Sequence, residues 1–205
     1  MLFGVADGVG GLPGGAAAAQ AAVDAVRAGF SPPSAAEPDL AEIVLRANAA
    51  VAARGRRLHP LQGIATTLTF GRISGDRLRL AHVGDSRCYV VRGRALRRLT
   101  EDHSVANEAR RLGAPLKPGF GDPRALVRCL GQMPDPGADL FDLPLEAGER
   151  YLFCTDGVTG MLEEDELGRL VGAPGPPAGL LDALVAACMR RGGHDDMSGV
   201  LVFIY

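Results

Sequence analysis

The sequence predicts an α+β fold, a β-sandwich of two mainly antiparallel sheets flanked by helix pairs. Short glycine turns at Ser74–Asp76 and at Gly93 join neighbouring apolar segments as hairpins. Helical segments come in pairs between groups of strands, unlike the regular alternation that builds a parallel sheet. Two further segments, Arg150–Thr155 and Gly199–Tyr205, are apolar on nearly every residue, which predicts central strands buried on both faces.

Each element follows from its own periodicity and from the residues that bound it. The predicted strands are Leu2–Val5, Ala65–Ile73, Arg77–Gly84, Arg87–Arg92, Ala95–Leu99, Arg150–Thr155 and Gly199–Tyr205. The predicted helices are Ala16–Ala28, Asp39–Arg57, Ser104–Leu112 and Ala178–Arg191, with a short helical turn near Glu164–Leu170. The proline-rich stretches Ser31–Pro38 and Gly172–Pro177 only separate helices from their neighbours, so a single domain is expected over residues 1–205.

Composition is that of an ordinary globular protein with one core. The chain has 205 residues, of which 47% are hydrophobic and 22% charged. A net charge of −2 gives no electrostatic case for binding nucleic acid or an anionic membrane. The 4 cysteines are widely spaced and form no CxxC pair, which favours buried free thiols in a reducing compartment. With no run of 18 apolar residues, we expect a cytoplasmic protein without a membrane span.

Aspartates recur where apolar strands end. They are Asp7 in VADGVGG, Asp85 in AHVGDSRCYVV, Asp156 in LFCTDGVTG, and Asp195 with Asp196 in GGHDDMSGVLV. Any one of them is an ordinary turn residue, but their repetition predicts that they converge at one end of the sandwich. Crowded carboxylates repel one another unless a cation compensates them. Oxygen donors without a Cys or His cluster favour Mg²⁺ or Mn²⁺ over zinc.

Six stretches together carry a family resemblance. They are FGVADGVGG, ATTLTF, AHVGDSRCYVVR, LTEDHS, LFCTDGVTGM and HDDMSGVLV. In this order and spacing, and over essentially the whole chain from Leu2, the sequence resembles the metal-dependent protein phosphatases (PPM, type 2C), particularly the bacterial members. The resemblance implies a Ser/Thr phosphoprotein phosphatase that hydrolyses phosphomonoesters with a metal-activated water. It also implies that its partners are phosphorylated proteins, the substrates of a cognate Ser/Thr kinase.

The same resemblance assigns roles to individual residues. Asp7 corresponds to the carboxylate that bridges two metal ions, and Gly8 to a backbone carbonyl ligand of one of them. Asp156 and Asp195 correspond to ligands of the second ion, and Asp85 with Asp156 to a weaker third site. The resemblance therefore implies two Mn²⁺ or Mg²⁺ ions and a third, more weakly bound one, with Asp7, Asp156 and Asp195 as the catalytic set. The glycines beside the acids, Gly8, Gly10, Gly11 and Gly157, are expected to let the backbone pass close to the ions.

The chain also departs from the family pattern. Family members normally have strands before DGVGG, and these strands carry an arginine for the substrate phosphate and an acidic pair. The sequence has no counterpart of them before Asp7. We therefore expect an N-terminally incomplete domain whose natural start lies upstream of Met1. Asp196 stands where asparagine is usual, and Val9 where some members carry a histidine. A pseudophosphatase that binds phosphoproteins without turnover, and a sporulation-type anti-sigma-factor phosphatase, are the alternatives. A dinucleotide or P-loop site is disfavoured because Pro13 interrupts GVGGLPG and no GK[ST] follows.

The histidines and the loop before Cys129 complete the predictions. His82 and His103 are interpreted as structural and His59 as a loop residue. His194 adjoins Asp195, which makes a position near the metals an alternative, although a position away from them is favoured. In the family the segment Ser104–Gly131 corresponds to a flap beside the active site. Its glycines and prolines predict an irregular loop. Its arginines, Arg110, Arg111, Arg124 and Arg128, are candidates for holding an acidic phosphopeptide, with plain solvation the simpler interpretation for most of them.

Overall fold

The computed structural model describes residues 1–31, 37–114, 116, 119 and 121–205. Within this part of the chain the strands are β1 (Leu2–Val5), β2 (Leu68–Ser74), β3 (Arg77–Val83), β4 (Arg87–Arg92), β5 (Ala95–Arg98), β6 (Asp139–Pro144), β7 (Arg150–Cys154) and β8 (Gly199–Phe203). The helices are α1 (Gly15–Gly29), α2 (Leu40–Leu58), α3 (Val105–Arg111), α4 (Asp156–Thr159), α5 (Glu164–Val171) and α6 (Pro177–Arg190). Most of the predicted loop Ser31–Pro38, and Pro115 and Pro118 of the predicted flap, lie outside the described residues.

The strands form two antiparallel sheets, as the sequence predicted. The first has the order β1-β2-β3-β6 and the second the order β5-β4-β7-β8. Hairpins at Ser74–Arg77 and Arg92–Ala95 fix the register within each sheet. The class α+β with two mainly antiparallel sheets is therefore confirmed.

Three apolar clusters hold four layers together. Helices α1 and α2 pack on the first sheet through residues such as Ala22, Ile43 and Phe70. Between the sheets lie Leu80 and Phe153 with their neighbours, and α5 and α6 pack on the second sheet through a further cluster. Each fully buried large side chain contributes roughly 1.5–3 kcal/mol to stability relative to exposure. The predicted helix pairs therefore cover both outer faces of the sandwich.

Three sequence predictions about strands need correction. Strand β6 was not predicted, because Asp139 lies on its half-buried face and Leu140 on its exposed face, which hides the alternation in the sequence. It ends in Pro144, a residue suited to an edge strand. Strand β8 was expected to be central but is an edge strand beside β7. Strand β2 begins three residues later than expected, since Thr66 forms isolated bridges with Gly8 and Leu130 instead.

The cysteines agree with the prediction. All 4 are free thiols, and Cys88, Cys154 and Cys188 are buried. Among the helices in the described ranges, none combines the length and the apolar character needed to cross a bilayer.

Candidate functional site

The four predicted site aspartates come from four separate chain segments and line one cavity of about 720 Å³ at an end of the sandwich, together with Asp102 and Asp122. Asp7 follows β1, and Asp85 lies in the turn between β3 and β4. Asp156 is the first residue of α4, directly after β7, and Asp195 lies between α6 and β8. The predicted convergence of these acids on one site is therefore present in the structure.

Burial and the neighbouring carboxylates disfavour the ionisation of Asp7 and Asp85. Burial, a hydrogen bond to Asp156, and the charges of Asp156, Asp195 and Asp85 together raise the pKa of Asp7 from 3.8 to about 7. Burial and the charges of Asp156 and Asp102 raise the pKa of Asp85 to about 6. A cation bound in the cavity would therefore favour the ionised forms of Asp7 and Asp85.

The donor set fits hard divalent cations. It consists of carboxylate oxygens, and Gly8, whose backbone carbonyl is a further oxygen donor, lines the same cavity. No three or more His, Cys, Asp or Glu side chains of the described residues are grouped closely enough to hold an ion by themselves. Mg²⁺ commonly retains several waters and is bound through one or two carboxylates, so such a grouping is not required.

Two glycines beside the site acids, Gly8 and Gly157, each allow a second backbone segment to approach closely. A Cβ on Gly157 would overlap the carbonyl oxygen of Asp196 and lie 2.9 Å from its carbonyl carbon. A Cβ on Gly8 would overlap backbone atoms of Gly15 in α1. The sequence interpretation explained these glycines by room for metal ions; the structure explains both by contacts between backbone segments.

Two arginines line the cavity, and they differ in what they bind. Arg87 is committed to Asp102, with its Nε 2.9 Å from Oδ1 and its Nη2 2.7 Å from Oδ2, and its Nη1 donates to the Tyr89 hydroxyl. The side chain of Arg124 is 91% exposed and makes only a 3.8 Å ion pair with Asp122. Arg124 is therefore the cavity arginine whose donors are available to a ligand.

The other flap arginines do not line this cavity. Arg110 pairs with Glu101, and Arg111 with Glu108, at exposed positions. Arg128 binds Asp139 of β6, an interaction that the sequence could not anticipate without that strand. The simpler interpretation, solvation, therefore fits Arg110 and Arg111, whereas the partly buried Arg128 has a structural partner.

The histidines divide into structural and cavity residues. His82 is buried and its two ring nitrogens bind Thr69 and the Glu101 carbonyl, so the structural interpretation is correct. His103 likewise bonds to Gly84. His194 lies in the loop between α6 and β8 and lines the cavity beside Asp195, so the structure fits the interpretation that places it near the proposed metal ligands, which the sequence analysis did not favour. Its position directly before a predicted site acid was the signal for that interpretation.

Comparisons with known proteins identify the class that this fold and site define. The chain matches the family model described as Protein phosphatase 2C over residues 1–201, and it belongs to that family. It is 30% identical over 207 residues to the serine/threonine phosphatase stp of Listeria monocytogenes, an alignment covering 97% of this chain and 82% of the relative.

Solved structures give the same result. The Mycobacterium tuberculosis serine/threonine phosphatase PstP/Ppp superposes with a TM-score of 0.85 at 27% identity, covering 100% of this chain and 88% of that one. The catalytic domain of PstP in complex with two manganese ions has a TM-score of 0.79 at 29% identity, covering 98% and 86%. The protein is a metal-dependent serine/threonine protein phosphatase, and nothing in these comparisons favours a pseudophosphatase or an anti-sigma-factor phosphatase.

Proposed function

We propose that Asp7, Asp156 and Asp195 are the catalytic metal ligands and hold two divalent ions, Mn²⁺ or Mg²⁺, with the Gly8 carbonyl as a further donor. Asp85 with Asp156 forms a weaker third site. The observation that carries this proposal is the convergence of four carboxylates in one cavity, where their proximity and burial raise the pKa of Asp7. When bound, the ions neutralise these charges and activate water for attack on a phosphomonoester.

The protein's own groups orient this site. One oxygen of Asp195 accepts a 2.8 Å hydrogen bond from the backbone N–H of Asp196, which fixes the carboxylate and leaves its second oxygen available. Asp196 itself does not line the cavity, and its carbonyl accepts a bond from the Thr155 hydroxyl. The acid that replaces the usual asparagine therefore adds no ligand to the proposed set.

The proposed substrates are phosphoserine and phosphothreonine residues of proteins modified by a cognate Ser/Thr kinase. A phosphorylated peptide carries negative charge beyond the phosphate itself whenever acidic residues flank it. Arg124 lies at the cavity with an exposed guanidinium, which is suited to charge-assisted hydrogen bonds with such a peptide. We therefore propose Arg124 as a substrate contact.

Metal removal tests the proposed function most directly. With p-nitrophenyl phosphate as substrate, turnover is expected to disappear in excess EDTA and to return when Mn²⁺ is added beyond the chelator. The physical reason is that the proposed mechanism uses water, and no side chain, as the nucleophile. In this mechanism water becomes a strong nucleophile at neutral pH only when metal ions lower its pKa. Turnover that persists in excess EDTA would contradict the metal mechanism.

Replacement of Arg124 by alanine tests the substrate contact. We expect KM for an acidic phosphopeptide to rise about 5-fold, the loss of one well-placed exposed charge interaction. Turnover of p-nitrophenyl phosphate should change little, because that substrate carries no flanking acid. Arg110→Ala is the matched control, since it removes the same charge from α3 but does not line the cavity. Equal effects of the two substitutions, or an unchanged KM for Arg124→Ala, would rule out the contact.

A further inference from the structure

Two buried hydroxyl groups connect the segment that carries Asp7 to the turn that carries Asp85. Thr67 Oγ1 and Ser86 Oγ are 2.8 Å apart and share a hydrogen bond. Their residues are 2% and 0% exposed. Thr67 immediately precedes β2, and Ser86 follows Asp85 directly, so this pair lies between two proposed metal ligands.

On one side, Thr67 holds the backbone of Asp7. The N–H of Asp7 donates to Thr67 Oγ1 at 3.0 Å, and the carbonyl of Asp7 accepts from the N–H of Thr67 at 2.8 Å. The Thr66 hydroxyl donates to the same carbonyl at 2.8 Å. The chain after β1 is therefore fixed at the residue whose carboxylate enters the cavity.

On the other side, the turn Gly84–Ser86 is anchored without Thr67. The Gly84 N–H donates to His103 Nδ1 at 3.1 Å, and its carbonyl accepts from the His103 N–H at 2.8 Å. The Ser86 carbonyl accepts from the Thr69 hydroxyl at 3.1 Å. Ser86 Oγ is consequently held in place by the turn and can orient the Thr67 hydroxyl through their shared hydrogen bond.

The contact between Thr67 and this turn is also a packing contact. A Cβ placed on Gly84, whose φ is +111°, would lie 2.7 Å from both Cβ and Cγ2 of Thr67. The methyl group of Thr67 thus meets the turn backbone, while its hydroxyl meets Ser86 and Asp7. Substitutions at this one position can separate the two contributions, since valine keeps the methyl group and serine keeps the hydroxyl.

We propose that Thr67 is a positioning residue for the metal site, and that its hydroxyl sets the placement of Asp7 relative to the Asp85 turn. This inference rests on the proposed function, because it assumes that Asp7 binds a metal ion. Removal of the Thr67 hydroxyl leaves the Asp7 N–H and Ser86 Oγ without their hydrogen-bond partner. The free-energy cost of an unsatisfied group is largest where water cannot take the place of the lost partner. Partners that orient metal ligands typically change metal affinity about 10- to 100-fold when they are lost.

The test measures Mn²⁺ binding by isothermal titration calorimetry, without substrate, together with the thermal midpoint of the metal-free protein. Thr67→Val is expected to weaken Mn²⁺ binding about 10-fold, and Thr67→Ser to restore most of it. Thr100→Val is the matched control: Thr100 is 1% exposed, its hydroxyl accepts a 3.0 Å bond from the Cys88 N–H, and neither residue lines the cavity. It should lower the thermal midpoint comparably but leave Mn²⁺ affinity unchanged.

The outcomes separate the inference from the function on which it rests. Wild-type protein that binds no Mn²⁺ overturns the proposed site and this inference with it. Mn²⁺ binding by Thr67→Val equal to that of wild type, or a loss equally large in Thr100→Val or in Thr67→Ser, overturns the inference alone. If Thr67→Val does not fold, Ser86→Ala removes the partner hydroxyl instead and is expected to weaken Mn²⁺ binding in the same direction; unchanged binding there overturns the inference.

Discussion

Replacement of Asp156 by asparagine is expected to reduce kcat/KM by at least about 100-fold, because a direct ligand should matter no less than the residues that hydrogen-bond to metal ligands and orient them. Asp156 is proposed to contact two metal sites, so the loss of one formal charge weakens both. The side chain keeps its size, and the fold should survive. Phosphatase kinetics at saturating Mn²⁺, combined with calorimetric Mn²⁺ titration, measure both effects.

The stability of the same variant without metal should not fall together with its activity. Asp156 is the neighbour that contributes most, after burial, to the raised pKa of Asp7. Removing its charge relieves repulsion between the two side chains, so the metal-free variant should be at least as stable as wild type at neutral pH. A general structural defect would instead lower both stability and activity.

Asp182→Asn is the matched control for this substitution. It makes the same chemical change on the exposed face of α6, outside the cavity, and should leave turnover and Mn²⁺ affinity unchanged. An Asp156→Asn protein as fast as wild type would show that Asp156 is not a catalytic metal ligand.

Replacement of Gly157 by alanine is expected to disrupt the site through the backbone. The added methyl group would overlap the Asp196 carbonyl, and neither can rotate away, because the backbone fixes the position of a Cβ and the carbonyl belongs to the main chain. The segment containing Asp195 and Asp196 must then move away from α4, separating Asp195 from Asp156. We expect a loss of about 1–3 kcal/mol in stability, typical of overpacking, and weaker Mn²⁺ binding in calorimetry.

Gly179→Ala provides the comparison for that prediction. Gly179 lies in α6, where the nearest atom to an added Cβ is Pro176 Cγ at 3.8 Å, and alanine favours a helix. This variant should be as stable as wild type or more so, with normal Mn²⁺ affinity. Wild-type Mn²⁺ binding by Gly157→Ala would show that the close approach at Asp196 does not define the site.

Local patterns in the sequence were sufficient for most of the fold. Apolar alternation with glycine turns predicted β1, β3, β4 and β5, a continuous apolar run predicted β7, and helical periodicity predicted the longer helices. These signals succeed because each element must present its apolar face to a core. They failed for β6, an edge strand that contains acidic residues and ends in a proline. They also failed to place β8 at the edge of its sheet, since an apolar run does not reveal whether a strand has one neighbour or two.

The sequence by itself determined the family and was sufficient to select the four acids as candidate site residues. The family motifs lie in order along the chain, and an acid that recurs at strand ends is visible without coordinates. The tertiary structure alone decided what surrounds those acids. Thr67 meets Asp7 across 60 residues of sequence and Ser86 across 19, and the cavity includes Arg124 but not Arg110. Local periodicity records which way a side chain faces, whereas the environment of an ionisable or hydroxyl group depends on segments that meet only when the sheets and helices pack.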